Sequence, residues 1–132
     1  MYYVEDAVMK TVTPLMQMTD WDNLFAAQKK PDAPKTLIFK KSPTCSISMR
    51  VEDGFNEWVK TLPDDAPLNL YIVNVINQRP IARKISEDVG IKHESPQVYY
   101  FGPNGQVLWH NSHMAITPAS LAQATGLGKA VV

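Results

Sequence analysis

Lys35-Thr36-Leu37-Ile38-Phe39-Lys40-Lys41-Ser42-Pro43-Thr44-Cys45-Ser46-Ile47-Ser48 is the stretch that decides the fold. Thr36 to Lys40 is short, largely apolar and partly β-branched, which predicts a central strand. Ser42-Pro43 then predicts a turn. Beyond Cys45 the apolar residues Ile47, Val51, Phe55, Trp58, Val59 and Leu62 recur mostly at steps of three and four, the mark of an amphipathic helix. Gly54 is its weak point, by roughly 1 kcal/mol against alanine. The single cysteine of the chain therefore stands where a strand hands over to a helix.

Downstream, Pro63-Asp64-Asp65-Ala66-Pro67 predicts a turn and Leu68 to Val75 a second buried strand. Pro80 opens a helix through Ala82, Ile85 and Val89, and Gly90 stops it. Val98-Tyr99-Tyr100-Phe101 is a strand, Gly102-Pro103-Asn104-Gly105 a hairpin turn, and Val107-Leu108-Trp109 its partner. Thr117-Pro118 starts a last helix with Leu121 and Ala124, ended by Gly126. From residue 35 the order is β-α-β-α-β-β-α. The first half implies parallel strands joined by right-handed crossovers, and the hairpin adds antiparallel ones. This is the order of an α/β, thioredoxin-like fold, a mixed central sheet flanked by helices.

Upstream, Met9, Val12, Leu15, Met16 and Met18 follow no clean period, and Pro14 interrupts any helix. The expected division is an N-terminal extension over 1–18, with a short strand, and a thioredoxin-like domain over 19–132. Thr19-Asp20 predicts the start of a helix carrying Trp21, Leu24, Phe25 and Gln28, which Pro31 and Pro34 end.

A chain of 132 residues with 45% hydrophobic content suits one globular domain. Its 13 basic and 13 acidic residues balance, so charge gives no argument for nucleic acid or a membrane surface as partner. No run approaches the ~20 apolar residues of a membrane span, and the first residues do not read as a secretory signal. One cysteine cannot form an internal disulfide, and a reducing, cytoplasmic setting is expected.

The chemistry centres on Cys45. A free thiol, with a pKa of about 8.5, is only slightly ionised at neutral pH, and the thiolate is the nucleophile. A helix N-terminus offers unpaired N–H groups and a positive dipole end, both of which favour the anion. Lys40 and Lys41 stand just upstream and add to this if they point toward the thiol. A lone cysteine is otherwise commonly a buried apolar residue. Ser48 occupies the position, three residues on, where dithiol redox proteins carry a second cysteine. Its hydroxyl can donate to a thiolate but cannot resolve a mixed disulfide, so another thiol must finish any cycle. Ser95-Pro96 enters the strand at Val98, and the proline is expected to be cis and to face the cysteine. His110 and His113 lie three apart, but without a nearby acidic pair no metal site is expected. His93-Glu94 precedes the proline and could border the thiol or a solvated loop. Neither a phosphatase loop nor a Gly-rich phosphate loop is present at the required spacing.

Three stretches resemble the monothiol bacilliredoxins, thioredoxin-like proteins of the bacillithiol redox system. Phe39 to Ser48 is similar to that family's FKHSTxCPIS pattern, and Val89 to Val98 to its GVKHESPQV pattern. The third stretch is His110-Asn111-Ser112-His113-Met114-Ala115-Ile116-Thr117. The resemblance spans residues 35 to 120, and the Lys92-His93-Glu94-Ser95-Pro96-Gln97 run is its most specific part. It implies that Cys45 attacks a protein–bacillithiol mixed disulfide and takes bacillithiol, the co-substrate, onto itself. S-thiolated proteins and a low-molecular-weight thiol would then be the partners, with a thiol reductase to regenerate Cys45. Thr44, Ser46 and Ser48 would support the thiol, and Ser95, Pro96 and Gln97 would border the thiol cofactor. Two departures stand out: Ser46 replaces the proline that usually follows the cysteine, and Lys41-Ser42-Pro43 replaces a histidine-containing run. Serine adds a donor at the first helical turn where proline would pre-set the backbone.

Two other readings remain open from the sequence. One is a thioredoxin-fold binding or stress protein whose thiol is not catalytic. The other is a monothiol glutaredoxin-like carrier of an iron–sulfur cluster shared between two chains.

Overall fold

The structure, a computed structural model, describes residues 10–130. Its elements are β1 (Val12–Pro14), α1 (Met18–Gln28), β2 (Thr36–Lys41), α2 (Ser46–Val59), β3 (Asn69–Asn74), α3 (Arg79–Val89), β4 (Gln97–Phe101), β5 (Val107–Ser112) and α4 (Pro118–Thr125). From residue 35 onward this is the order the sequence predicts. The five strands form one sheet in the order β1-β3-β2-β4-β5. β3 runs parallel to both β1 and β2, and β4 is antiparallel to β2 and β5.

β2 sits mid-sheet, with Thr36 through Lys40 all buried. Alternation along the strand divides its side chains between two cores. Leu37 and Phe39 join Val51, Phe55 and Trp58 of α2 and Leu121 of α4. Ile38 joins Trp21 of α1 and Ile81 and Ile85 of α3 on the opposite face. Phe39 and Phe55 stack with ring centroids 4.7 Å apart, which locks α2 onto the strand that precedes it. Gly54 lies where α2 crosses the start of α4: a Cβ there would stand 3.3 Å from Pro118 Cδ. The helix-weakening glycine thus marks a close helix crossing.

Three sequence expectations are adjusted. Val12–Pro14 is an edge strand of the sheet, and Leu15 is core, its N–H donating to Ile72 O at 2.9 Å. The N-terminal extension drawn over 1–18 is therefore part of the sheet from Val12 on, and its residues 1–9 lie outside the described residues. α1 begins at Met18, one residue before the predicted Thr19. Asp20 causes this: its carboxylate accepts from the N–H groups of Met16 and Gln17, both at 2.9 Å. Those bonds hold its carboxyl below the usual carboxylate range. Third, β5 extends to Ser112, beyond the predicted Trp109, and carries the hairpin to the same end of the sheet as Cys45.

Candidate active site

β2 ends at Lys41, Ser42-Pro43-Thr44 turn the chain, and Cys45 is the N-cap of α2 in extended conformation (φ −106°, ψ 124°). The thiol is half-buried and makes no capping hydrogen bond. The residue stands at the head of α2, whose first-turn N–H groups have no partner within the helix. The turn is closed from inside. Ser48 is fully buried, and its Oγ accepts from the Ser42 N–H at 2.8 Å. That contact fixes the backbone that leads to Cys45. Thr44 Oγ1 lies 3.4 Å from Ser42 Oγ within the same turn.

The two upstream lysines are committed elsewhere. Lys41 Nζ pairs with Glu52 Oε2 of α2 at 3.1 Å. Lys40 has no exposed surface and points to the α3 face of the sheet. Its Nζ meets Ser86 Oγ at 2.8 Å, Tyr99 Oη at 2.8 Å, His93 Nδ1 at 3.1 Å and Gln97 Oε1 at 3.2 Å. Burial pushes the Lys40 amine down to about 7 and the Tyr99 phenol up to about 12. His93 is also pushed below its ordinary value, first by burial and then by the nearby Lys40 and Arg83 charges.

Across the sheet, Gln97 is the register partner of Lys40, so the segment before β4 stands at the end of β2 that leads to Cys45. The Ser95–Pro96 bond is cis. Pro96 O accepts from the His113 N–H at 2.9 Å, and His113 Nε2 lies 2.6 Å from Glu94 Oε1. That contact holds the Glu94 carboxyl below its usual range. Ser95 Oγ is buried without a hydrogen-bond partner among the described residues. Gln97 turns inward: its Oε1 accepts from the Glu94 N–H at 3.1 Å and from Tyr99 Oη at 2.7 Å, and its Nε2 donates to Lys92 O at 2.9 Å. It holds the loop from within. The fold thus gathers Thr44, Cys45, Ser46 and Ser48 at one end of the sheet with Ser95, Pro96 and Gln97.

An open cleft of about 290 Å³ adjoins the thiol turn, lined by Ser46, Ile47, Arg50 and Met114. A hollow of about 220 Å³ lies on the other side, among Met16, Lys41, Asn74 and Gln78. Met16, Ile47, Ile76 and Met114 are all exposed, between 44% and 55%. Each follows β1, begins α2, or follows β3 or β5, so these four collect at the thiol end, whereas exposed Leu108 lies near the hairpin turn and exposed Met49 farther along α2. Sequence reasoning missed Lys40 as a site residue. From sequence it reads as the polar end of an apolar strand, and only the register with Gln97 and the packing of Ser86 show it buried.

The model of the monothiol bacilliredoxin BrxC family matches residues 13–121. Among solved structures, a proposed oxidoreductase with a thioredoxin fold is 27% identical, with a TM-score of 0.70, over 94% of this chain and 99% of that one. The thioredoxin of Malassezia sympodialis is 20% identical, with a TM-score of 0.65, over 91% of this chain and 93% of that one. A thioredoxin from Nicotiana alata matches at 10% identity and a TM-score of 0.66, over 92% and 96% of the two chains. The last two show the fold alone. No helix among the described residues is long and apolar enough to cross a membrane. The fold is thioredoxin-like, family and fold together support a thiol redox role, and the chain belongs to the monothiol bacilliredoxin family.

Proposed function

We propose that the protein is a monothiol thiol–disulfide oxidoreductase that removes bacillithiol from protein mixed disulfides through Cys45. The observation that carries this reading is the half-exposed, uncapped thiol at the head of α2, three residues before a serine that is buried and already bonded. Such a site can accept an adduct and cannot release it unaided. Cys45 thiolate attacks the bacillithiol sulfur of the mixed disulfide. The old S–S bond breaks, its electron pair leaves on the target protein's sulfur, and solvent supplies the proton. One disulfide is consumed and one formed, Cys45 to bacillithiol. A second thiol, small or borne by a thiol reductase, then attacks that disulfide and returns Cys45 to the reduced state. A cytoplasmic setting, where thiols stay reduced, fits this cycle.

Two features support the reading. The cleft beside Ser46 and Arg50 offers space for the non-reacting part of a small thiol. The exposed Met16, Ile47, Ile76 and Met114 offer apolar contact for the polypeptide that carries it.

The test is mass spectrometry after mixing the protein with a bacillithiolated protein and, in parallel, a glutathionylated one, with Cys45→Ser as control. One bacillithiol adduct on Cys45, absent in the control, is the expected result. Transfer of glutathione alone would retain the oxidoreductase and discard bacillithiol. No adduct from either, with Cys45 reduced and intact, would leave a non-catalytic binding protein.

A further inference from the structure

We propose that Lys40 is a positioning residue for the exchange reaction: its buried amino group tethers the 93–97 loop, and with it the Pro96 backbone, to β2 and α3. The inference rests on the exchange reading of Cys45. A buried ammonium is costly to desolvate, and among the described residues no carboxylate lies within hydrogen-bond reach of Lys40 Nζ to offset this. An apolar side chain of similar length would fill the same space at lower cost. The lysine is therefore not explained by stability.

Its partners say what it holds. Ser86 belongs to α3 and Tyr99 to β4, while His93 and Gln97 bracket the cis Ser95–Pro96 step. Gln97 relays the contact, because its amide also binds Glu94 N and Lys92 O. From the outer side the same loop is held by Pro96 O on the His113 N–H and by Glu94 on the His113 ring. Backbone at this step borders the thiol end of the sheet, so small shifts of the loop would misplace an incoming disulfide. Errors of about 1 Å in such positioning can slow a reaction by roughly a hundredfold.

The tether is made by the charged lysine. An ammonium gives three protons to the cluster, whereas a neutral amine gives two and must itself accept. Tyr99, pushed up to about 12, remains a phenol, and His93, pushed down, remains a neutral acceptor near pH 7. The other charged groups near the cluster are Arg83 and Glu87 on α3, beside Ser86 and His93, with Arg79 and Glu94 near His93. On β3 the register partner of Lys40 is the apolar Val73. Lys40 is then the member that changes charge around pH 7.

The experiment compares two second-order rates across pH for the full-length protein: exchange with a bacillithiolated protein, and alkylation of Cys45 by iodoacetamide. Alkylation needs the thiolate but no loop. In the wild type, the ratio of exchange to alkylation should hold in mild acid and fall as pH rises through about 7. Lys40→Met should lower the ratio by about tenfold or more in mild acid and flatten its pH profile, with alkylation within about twofold. Gln97→Glu sets a carboxylate where Gln97 Oε1 lies 3.2 Å from Nζ, and should move the inflection upward by about one pH unit or more. A ratio unchanged in Lys40→Met, or a wild-type ratio without the inflection, overturns the inference and leaves the exchange reading standing. If Lys40→Met fails to fold, an inflection unmoved in Gln97→Glu overturns it. No wild-type exchange at all, with normal alkylation, removes the exchange reading and this inference together.

Discussion

The Ser42 N–H donates to Ser48 Oγ at 2.8 Å, closing the turn that carries Cys45 with a side chain from the first turn of the following helix. The two residues flank the thiol, and both are buried. A serine three residues after the cysteine is thus a structural element of the site as well as the absence of a second thiol. Its oxygen satisfies a backbone donor that has no water to turn to.

Ser48→Ala should therefore lower stability by about 1–3 kcal/mol, the cost of stranding a buried donor. A urea midpoint shifted down at unchanged slope would show it. An unchanged midpoint would mean that the turn relaxes and finds another acceptor.

Ser48→Cys tests the same position for chemistry. One helical turn brings residue 48 back under the N-cap, so the new thiol can attack a Cys45 mixed disulfide and release the adduct. The product expected by intact mass is an internal disulfide, lighter by two hydrogens than the reduced variant, with free bacillithiol in solution. Persistence of the adduct on Cys45 would show that residue 48 is too deeply held to reach it.

Lys40 makes a second prediction through stability. A fall of the amine from 10.5 to about 7 corresponds to on the order of 5 kcal/mol against folding while the group is charged in both states. That cost is complete below about pH 7, where folded and unfolded chains both hold the proton. Between about 7 and 10.5 the unfolded chain holds a proton that the folded chain has released, so stability rises with pH. His93, pushed down from 6.5, acts only in more acidic solution, and Tyr99, pushed up from 10.0, only in more alkaline solution. Chemical denaturation between pH ~7 and ~9.5 should show the rise in the wild type and its loss in Lys40→Met. The variant should also be more stable than the wild type at pH ~6, by about 1–4 kcal/mol. Lower stability of the variant there would mean that the four hydrogen bonds outweigh desolvation.

Much of this could be read from the chain because local and global signals agree. Thr36 to Phe39 is apolar, bounded by Pro34 and Pro43, and folds as the central strand. The spacing from Val51 to Trp58 sets the buried face of α2, and Gly90 ends α3 at a positive φ of 73°. The Ser95-Pro96 step, expected to be cis, is cis. What was not legible depends on the third dimension. The short strand expected in the N-terminal extension is Val12–Pro14, but that it joins the domain's own sheet depends on its pairing with β3. Lys40 follows four buried residues and reads as the polar end of the strand, until register sets it opposite Gln97 and under Ser86. Met114, Ile47 and Ile76 are far apart in sequence, and their gathering around the thiol end is a product of topology.

Arg50 carries the last prediction. It lines the cleft beside the thiol turn with Ser46, one helical turn before it, and apolar Ile47 and Met114. Among the described residues no carboxylate pairs with it, whereas Lys41 on the neighbouring turn is already paired to Glu52. A guanidinium there would favour small thiols that carry a carboxylate, through a charge-assisted contact at partly exposed depth. Two probes separate charge from reactivity: glutathione disulfide, which is anionic, and hydroxyethyl disulfide, which is neutral. Arg50→Gln should slow reaction of Cys45 with the anionic disulfide by about three- to tenfold and leave the neutral one nearly unchanged. Added salt should narrow the wild-type preference, because screening weakens a contact open to solvent. Equal losses on both probes would mean that Arg50 acts on the shape of the cleft, and no loss on either would mean that the thiol's acidic part binds elsewhere.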